Sequence, residues 1–247
     1  MGHGSPTNVA ERNRFTDGWR TMAAAIPEPK AVLCVSAHWF GRGLAVSAAP
    51  KPETIHDFFG FPPELYQVHY PAPGAPHLAA RVASLFGGEI WIDPDRGLDH
   101  GAWSVLHFMY PEAGIPVCQL SVNASFSPAD SYRAGKTLRP LREEGVLIIG
   151  SGDVVHNLAL IDWDRPGGYD WADAFDGYIR AAVTEGRYED AVRYEKAGPA
   201  AGRAFTSRDH YDPLLYVLGA ADSGEEARVF NDERVMGSLS MTSYIIG

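Results

Sequence analysis

Five of the nine histidines occupy positions from which an imidazole could do chemistry. His38 follows the apolar run AVLCVSA, and His156 follows VLIIGSGDV through a glycine-containing turn. His3 lies in GHGSP, His100 lies in LDHGAW, and His210 opens HYDPLLYVLGA. Neutral imidazole is a common protein ligand for zinc and iron, and it is also a general acid or base near neutral pH. One such histidine alone is more often a hydrogen-bonded core or surface residue, but five together favour a metal-binding or catalytic site.

The other four histidines carry a weaker signal. His107 lies in the apolar segment SVLHFMY and is predicted to be a core residue, and His77 is expected at the start of a helix. His69 lies in a Pro/Gly-rich loop, where it could contact a substrate or simply be exposed, and His56 precedes that loop. Two tryptophans next to histidines, in SAHWF and DHGAW, could line an aromatic pocket or pack in the core: Trp39 and Trp103.

Several other kinds of catalytic site are not supported. Ser5 in GHGSP lacks the G-x-S-x-G context of a serine hydrolase, and no Gly-Lys-Ser/Thr follows a glycine-rich loop to bind phosphate. A zinc hydrolase that activates a water molecule with the same histidines remains possible, although the sequence has no H-E-x-x-H motif.

The elements that must position these histidines alternate between short Val/Ile-rich runs and amphipathic segments. This alternation is typical of βα units around a largely buried sheet. The sequence predicts strands at Ala31–Ala37, Ile115–Val122, Val146–Ile149 and Met241–Ile246. It predicts helices at Asn8–Ala25, Leu78–Phe86, Pro128–Glu144 and Trp171–Glu185. We therefore expect an α/β fold with one domain over residues 1–247 and a site at the carboxyl edge of the sheet, where such folds bind ligands.

Composition limits the classes of function further. The net charge is −10, and the 21 Lys and Arg residues form no block, which disfavours nucleic-acid binding and favours a small-molecule substrate. No run of about 18 apolar residues is present, so we expect no membrane span. Cys34 and Cys118 each lie in an apolar run and are expected to be buried and reduced. With no signal peptide visible, the predicted location is cytoplasmic.

Taken together, several motifs resemble those of class III extradiol ring-cleavage dioxygenases, and in particular the 4,5-DOPA dioxygenase extradiol family. The motifs run in the same order over almost the whole chain: GHGSPTN, VSAHWF, TIHDFFGFPPELYQVHYPAPG, LDHGAWSVL, GSGDVVHNL and HYDPLLYVLGA. The resemblance implies a mixed, mostly parallel central sheet flanked by helices, with the active site at the sheet edge. It also implies an aromatic ring-opening oxidoreductase acting on a catechol, such as DOPA, with O2.

The resemblance also implies a role for each of the five histidines. His3, His38 and His210 match the metal ligands, and His156 matches the acid–base residue that can also be a fourth ligand. His100 matches a residue that faces substrate and oxygen. Fe(II) is the metal expected for activity, and Zn(II) is also suited to the site.

The sequence departs from its better-known relatives in two ways. Protocatechuate-type members use two histidines and a glutamate, whereas the third ligand position here matches His210, as in the DOPA branch, with Asp209 beside it as an alternative oxygen ligand. Family members also carry an apolar strand before GHGSP, so we expect His3 to be held less firmly here. The sequence distinguishes neither the physiological catechol nor the number of subunits.

Overall fold

The computed structural model describes all 247 residues, Met1–Gly247. Its nine strands are β1 (Ala31–Gly41), β2 (Ala45–Ser47), β3 (Trp91–Asp93), β4 (Val117–Asn123), β5 (Val146–Ser151), β6 (Ala227–Phe230), β7 (Arg234–Val235), β8 (Leu239–Ser240) and β9 (Ser243–Ile246). Its nine α-helices are α1 (Arg14–Ala24), α2 (Pro76–Leu85), α3 (His100–Met109), α4 (Pro128–Leu138), α5 (Pro140–Glu143), α6 (Asp170–Thr184), α7 (Tyr188–Val192), α8 (Ala201–Ala204) and α9 (Asp212–Ala220). Four 3-10 helices span Pro6–Val9, Pro63–Gln67, Leu158–Leu160 and Tyr194–Ala200.

Five strands form the central sheet, in the order β3-β2-β4-β1-β5. β1 lies in the middle of the parallel part and pairs in parallel with both β4 and β5. β2 also pairs in parallel with β3, and only its single pairing with β4 is antiparallel. The predicted α/β fold, with a mixed and mostly parallel sheet flanked by helices, is therefore confirmed.

The apolar composition of β1 and β4 follows from burial on both faces of the sheet. Val32 and Cys34 of β1 pack with Trp19 of α1 and Trp103 of α3 on one face. The alternate residues Leu33 and Val35 belong to a second cluster on the other face, with helices α2, α4 and α9. All seven residues of β4 are buried. A strand covered by helices on both sides needs apolar side chains at odd and even positions alike, which explains the continuous runs in the sequence.

The ends of β1 and β9 differ from the prediction. β1 extends through His38 to Gly41, and its register with β4 shifts between Ser36 and Phe40. His38 therefore lies in a bulge within the strand instead of directly after it. The C-terminal strand β9 does form, but it pairs with β6 in a separate two-stranded sheet. Its partner β6 has only four residues, too few to show a period in the sequence, so neither β6 nor this pairing was predicted.

Two predicted helices differ because local caps and prolines override the hydrophobic pattern. α1 begins at Arg14, because the Asn13 side chain accepts hydrogen bonds from the backbone N–H groups of Phe15 and Thr16 and caps the helix there. The helix predicted over Pro128–Glu144 divides into α4 and α5 at Pro140, which has no N–H to donate to the preceding turn.

Helix α3 was not predicted, although it carries two histidines. Its mostly apolar sequence has a weak polar face, so no helical period stands out. Asp99 caps its first turn by accepting a hydrogen bond from the Ala102 backbone N–H at 3.2 Å. His107 is half-buried near the end of α3 and packs edge-on to Phe108, so its assignment to the core was wrong.

Cys34 and Cys118 are buried free thiols, as expected. No helix is both long enough and apolar enough to cross a bilayer.

Candidate metal centre

The five singled-out histidines converge at the carboxyl end of the parallel strands. His3 follows Gly2, which pairs with Gly152 just beyond β5, and His38 lies in the bulge of β1. His100 is the first residue of α3, and His156 follows the turn after β5. His210 precedes α9 by two residues. Segments far apart in sequence thus bring five imidazoles to one edge of the sheet.

Three of these rings offer nitrogen atoms to a common point. Ligand atoms of His3, His38 and His210 all lie within 4.8 Å of one another. The Nε2 atoms of His3 and His38 are 3.1 Å apart. The ring centroids are 5.0 Å apart for His3 and His38, 5.2 Å for His3 and His210, and 5.0 Å for His38 and His210. His3 and His210 are buried, and His38 is half-buried.

Each of these three rings has a polar neighbour at Nδ1. The Nδ1 of His3 lies 2.9 Å from Ser151 Oγ, and that hydroxyl donates its own proton to the Gly101 carbonyl, so it accepts from Nδ1–H. The Nδ1 of His38 lies 3.2 Å from Asp57 Oδ2. A proton held on Nδ1 leaves the Nε2 lone pair free, which is the tautomer a metal ligand needs.

His210 differs in how its Nδ1 is held. The Asp209 carboxylate lies 3.3 Å from Nδ1, but neither ring nitrogen of His210 has a hydrogen bond in the buried site. Asp209 Oδ1 instead accepts a hydrogen bond at 2.9 Å from the backbone N–H of His210. Asp209 therefore contacts its sequence neighbour His210. It belongs to none of the groups of histidine and carboxylate side chains that lie close enough together to hold a metal ion, so its role as an alternative ligand gains no support.

His100 lies next to the ligand cluster, with its ring centroid 3.8 Å from that of His38. Its Nδ1 is 3.1 Å from Asp57 Oδ1, and its backbone N–H donates to the same oxygen at 2.8 Å. Phe58 packs edge-on against the ring at a centroid distance of 5.5 Å. His100 therefore stands between the cluster and an apolar side chain.

His156 stacks on His210, with ring centroids 3.5 Å apart and ring planes 3° apart. His156, His210 and Asp153 also form a second grouping whose ligand atoms lie within 4.8 Å of one another. Both proposed roles of His156, as acid–base and as fourth ligand, require this closeness to the cluster.

Two carboxylates in the site were missed from the sequence. Asp57 contacts His38 and His100, while Asp153 is buried, with Oδ1 accepting from the Gly4 backbone N–H at 3.2 Å and Oδ2 3.9 Å from His3 Nε2. Both residues lie inside motifs that carry the family resemblance, IHDFFG and GSGDVVHN. Their position next to His56 and before His156 was the available signal.

Burial and neighbouring charge set the ionisation of the site. Burial, reinforced by His38, lowers the pKa of His3, and burial with His210 lowers the pKa of His156 to about 3. Burial also lowers the pKa of His210 and of His100, against the opposing carboxylates Asp209 and Asp57. These shifts favour the neutral rings, which are the metal-binding form.

His38 and Asp57 are instead shifted towards their charged forms. Burial disfavours a charged His38, but the hydrogen bond to Asp57 and the charge of Asp99 outweigh it and raise its pKa. Asp57 is half-buried, which opposes its negative charge, yet hydrogen bonds from His100 and His38 hold its pKa well below the usual range. Burial raises the pKa of Asp153 to about 7.

These observations together fit a bound cation. Two imidazole nitrogens at about 2.0–2.1 Å from one metal ion are separated by roughly 2.9–3.4 Å, and the His3–His38 separation falls in that range. If both rings are neutral with their protons on Nδ1, the two Nε2 lone pairs face each other, and a metal ion or a proton on His38, whose pKa is raised, relieves the repulsion. The nitrogens of His210 and Oδ2 of Asp153 are buried without hydrogen bonds, and buried polar atoms normally have partners.

Glycines beside the histidines allow this close packing. A Cβ on Gly101 would lie 2.5 Å from Ser36 Oγ and 2.9 Å from His38 Cδ2. A Cβ on Gly152 would lie 2.1 Å from the His210 carbonyl oxygen. Both positions therefore need glycine so that α3 and the segment before α9 can approach the strands.

The aromatic residue next to the histidine cluster is not one of the two tryptophans considered from the sequence. Trp103 is fully buried, donates from Nε1 to the Ile55 carbonyl at 2.8 Å, and is a core residue. Trp39 lies under the Arg96 guanidinium. His69 is exposed in the loop, and Phe58 is the aromatic side chain that packs against His100.

The expectation that His3 is loosely held is wrong for this structure. Its side chain is 1 % exposed, Asn8 Nδ2 donates to its carbonyl at 3.1 Å, and the Gly2 N–H donates to Ser243 Oγ at 2.9 Å. The packing of β9 against this segment supplies part of that support.

The fold and the site together define the class of protein: an α/β protein whose sheet edge carries a histidine cluster suited to one metal ion. The family described as "Catalytic LigB subunit of aromatic ring-opening dioxygenase" matches residues 3–246. The chain belongs to this family.

Individual relatives agree with that assignment. The chain is 44% identical over 252 residues to 4,5-DOPA dioxygenase extradiol of Escherichia coli (strain K12), covering 100% of this chain and 93% of that protein. It is 39% identical to 4,5-DOPA dioxygenase extradiol of Beta vulgaris, covering 99% of this chain and 94% of that protein. A crystal structure of an uncharacterized protein from Escherichia coli K12 superposes with a TM-score of 0.85 at 39% identity, covering 100% of this chain and 97% of that chain.

The prediction of a class III extradiol ring-cleaving dioxygenase is thereby confirmed at the level of family and enzyme class. The enzyme acts on an aromatic substrate with O2. The two named relatives above are dioxygenases, so they give no support to the zinc hydrolase considered for the same histidines.

Proposed function

We propose that this protein opens the ring of a catechol of the DOPA type with O2, at one Fe(II) ion bound by His3, His38 and His210. The single observation that carries the proposal is the convergence of these three histidines, with ligand atoms within 4.8 Å of one another at the sheet edge. Relatives named 4,5-DOPA dioxygenase extradiol support the choice of substrate class. Zn(II) suits the same nitrogen ligands and is expected to compete for the site.

When bound, Fe(II) supplies one-electron chemistry and coordination positions that three protein ligands leave open for a catechol and O2. The protein residues provide orientation and proton transfer. His156 is assigned to remove a proton from a catechol hydroxyl and to return it later, since its ring stacks directly on the ligand His210. His100 is assigned to face the substrate, next to His38.

His156 has a second assignment as a fourth ligand in the resting site. The grouping of His156 with His210 and Asp153 supports this assignment. The two roles are compatible, because an imidazole released from a metal ion recovers the lone pair that accepts a proton. An unbound His156, held against His210, would have its lone pair available to accept a proton from a catechol hydroxyl.

Residues 1–247 are proposed to act as one catalytic domain in the cytoplasm. The two free cysteines, Cys34 and Cys118, are buried and fit a reducing compartment.

The test is oxygen uptake by protein loaded anaerobically with Fe(II), compared with protein loaded with Zn(II) alone, on a panel of catechols that includes L-DOPA. We expect oxygen consumption only with Fe(II) and a catechol, because zinc has no redox chemistry. A hydrolase would be active with Zn(II) and would consume no oxygen. Absence of uptake with every catechol would contradict the proposal.

A further inference from the structure

One carboxylate in the site contacts two histidines to which the proposed function gives different tasks. Asp57 Oδ2 lies 3.2 Å from His38 Nδ1, and Asp57 Oδ1 lies 3.1 Å from His100 Nδ1. Oδ1 also accepts a hydrogen bond from the His100 backbone N–H at 2.8 Å. We propose that Asp57 is a positioning residue that fixes the tautomer and ring orientation of His38 and His100 together. The proposal rests on the proposed function, in which His38 is a metal ligand and His100 faces the substrate.

The chemistry of imidazole explains why one carboxylate can serve both rings. A neutral imidazole carries a single N–H, and a carboxylate placed at Nδ1 keeps that proton there and leaves the Nε2 lone pair for a metal or a substrate. An ionised carboxylate has two acceptor oxygens and no donor, so it accepts from two N–H groups at once. The two oxygens of Asp57 are divided between the two rings in this way.

The arrangement couples the metal site to the substrate site. The ring centroids of His38 and His100 are 3.8 Å apart, so a rotation of either ring displaces the other. Asp57 reaches both rings from the loop before Phe58, whose side chain packs against His100. Ser151 and Asp209 approach the other two ligand rings, but each of them lies next to only one ring. Asp153 lies near His3, His156 and His210, but its Oδ2 makes no hydrogen bond and its Oδ1 accepts from the Gly4 backbone N–H. Asp57 is therefore the carboxylate that lies at Nδ1 of a ligand ring and of the substrate-facing ring together.

Replacing Asp57 by asparagine tests the shared role with little change of shape. The amide has one acceptor oxygen, and its NH2 group cannot accept from an imidazole N–H, so Asp57→Asn can serve one ring but not both. A matched control is Glu225→Gln, the same carboxylate-to-amide change at a side chain with the same 23 % exposure, which pairs with Arg142 away from the site.

The first readout is zinc affinity of the full chain, measured by competition with a chelator. We expect Asp57→Asn to bind zinc about 10–100-fold more weakly than the wild type, the usual effect of losing a carboxylate behind a ligand histidine. Glu225→Gln should bind like the wild type. Asp57→Glu keeps both acceptor oxygens and should recover part of the affinity, which a purely steric role would not allow.

The second readout is the imidazole N–H spectrum of the zinc-loaded protein labelled with ¹⁵N-histidine. The wild type should show protected Nδ1–H signals from His38 and His100, the latter identified by its absence in His100→Phe. Asp57→Asn should lose at least one of these signals. Wild-type affinity together with both signals intact in Asp57→Asn would overturn this proposal alone. A wild-type protein that binds no zinc would instead overturn the metal site itself, and this proposal with it.

Discussion

The rings of His156 and His210 stack face to face, with centroids 3.5 Å apart and planes 3° apart. This contact places a candidate acid–base group directly on a candidate metal ligand. Burial lowers the pKa of both rings, which favours their neutral forms. Two neutral rings can stack closely, whereas a charged one would lose solvation there.

His156 is expected to be essential for turnover. Because a positioned acid–base group contributes about 10²–10⁴-fold, His156→Gln and His156→Phe should each lower kcat by about that factor. Metal analysis of the same samples distinguishes its two roles, because loss of a fourth ligand also weakens metal binding. Wild-type kcat with full metal content in both variants would contradict both roles.

His38 and His210 are expected to be needed for metal binding but not for folding. His38→Ala and His210→Ala each remove one of the three converging nitrogens, and they should leave well under one equivalent of metal per chain. The measurement is elemental analysis after loading and desalting, with circular dichroism to check the fold. His77→Ala, at an exposed histidine on α2, is the control and should keep its metal. A full equivalent of metal in either site variant would show that the ligand assignment is wrong.

The sequence predicted the main features of this site for identifiable physical reasons. Short continuous apolar runs such as β1 favour buried strands, and histidines towards their carboxyl ends meet at one edge of a parallel sheet. The resemblance then assigned separate ligand and acid–base roles, which spacing alone could not do and which stay predictions. The stacking of His156 on His210 and the sharing of Asp57 escaped prediction, because they depend on how loops from distant parts of the chain pack together. The bulge at His38 was also missed, since a register shift leaves no period in the sequence.

Asp176 is a buried carboxylate outside the site that is expected to stabilise the fold. It is fully buried on α6, accepts hydrogen bonds from Ser240 and from Thr242 Oγ1, and lies 3.2 Å from Arg234 Nη1. Because Asp176→Ala removes the acceptor of the buried Ser240 and Thr242 hydroxyls, while Arg234 keeps Asp173 and Asp232, it should lower the free energy of unfolding by about 1–3 kcal/mol in urea titrations at neutral pH. Asp173→Ala removes a 48 % exposed partner of Arg234 and should cost about 0–1 kcal/mol. Equal losses in the two variants would contradict the role of burial.

The same carboxylate should give the stability a pH dependence. Burial raises the pKa of Asp176, against its hydrogen bonds and Arg234, so the folded state holds this proton more tightly than the unfolded state. Its contribution to stability is therefore greatest below the unfolded carboxyl pKa of about 3.9 and declines as the pH rises through the raised folded pKa. Asp176→Asn does not titrate, so its stability relative to the wild type should rise over that window. Parallel stability curves for the two proteins would show that the pKa is not raised.

The last prediction concerns which bond of the ring is broken. With Fe(II), the enzyme should cleave L-DOPA beside the two hydroxyls and not between them, because three histidine ligands would leave coordination positions open for both the catechol and O2. His156 stacks on His210 and His100 lies beside His38, so both can transfer protons to and from the substrate. Phe58, which packs against His100, offers the planar ring of the catechol an apolar neighbour. The product should be a yellow semialdehyde that cyclises, and mass spectrometry after reaction under ¹⁸O2 should show both oxygen atoms incorporated. Zn(II)-loaded protein is the control and should form no product, since zinc cannot take part in electron transfer. A colourless diacid from cleavage between the hydroxyls would contradict the extradiol assignment for this enzyme, even if both labelled atoms were found in it.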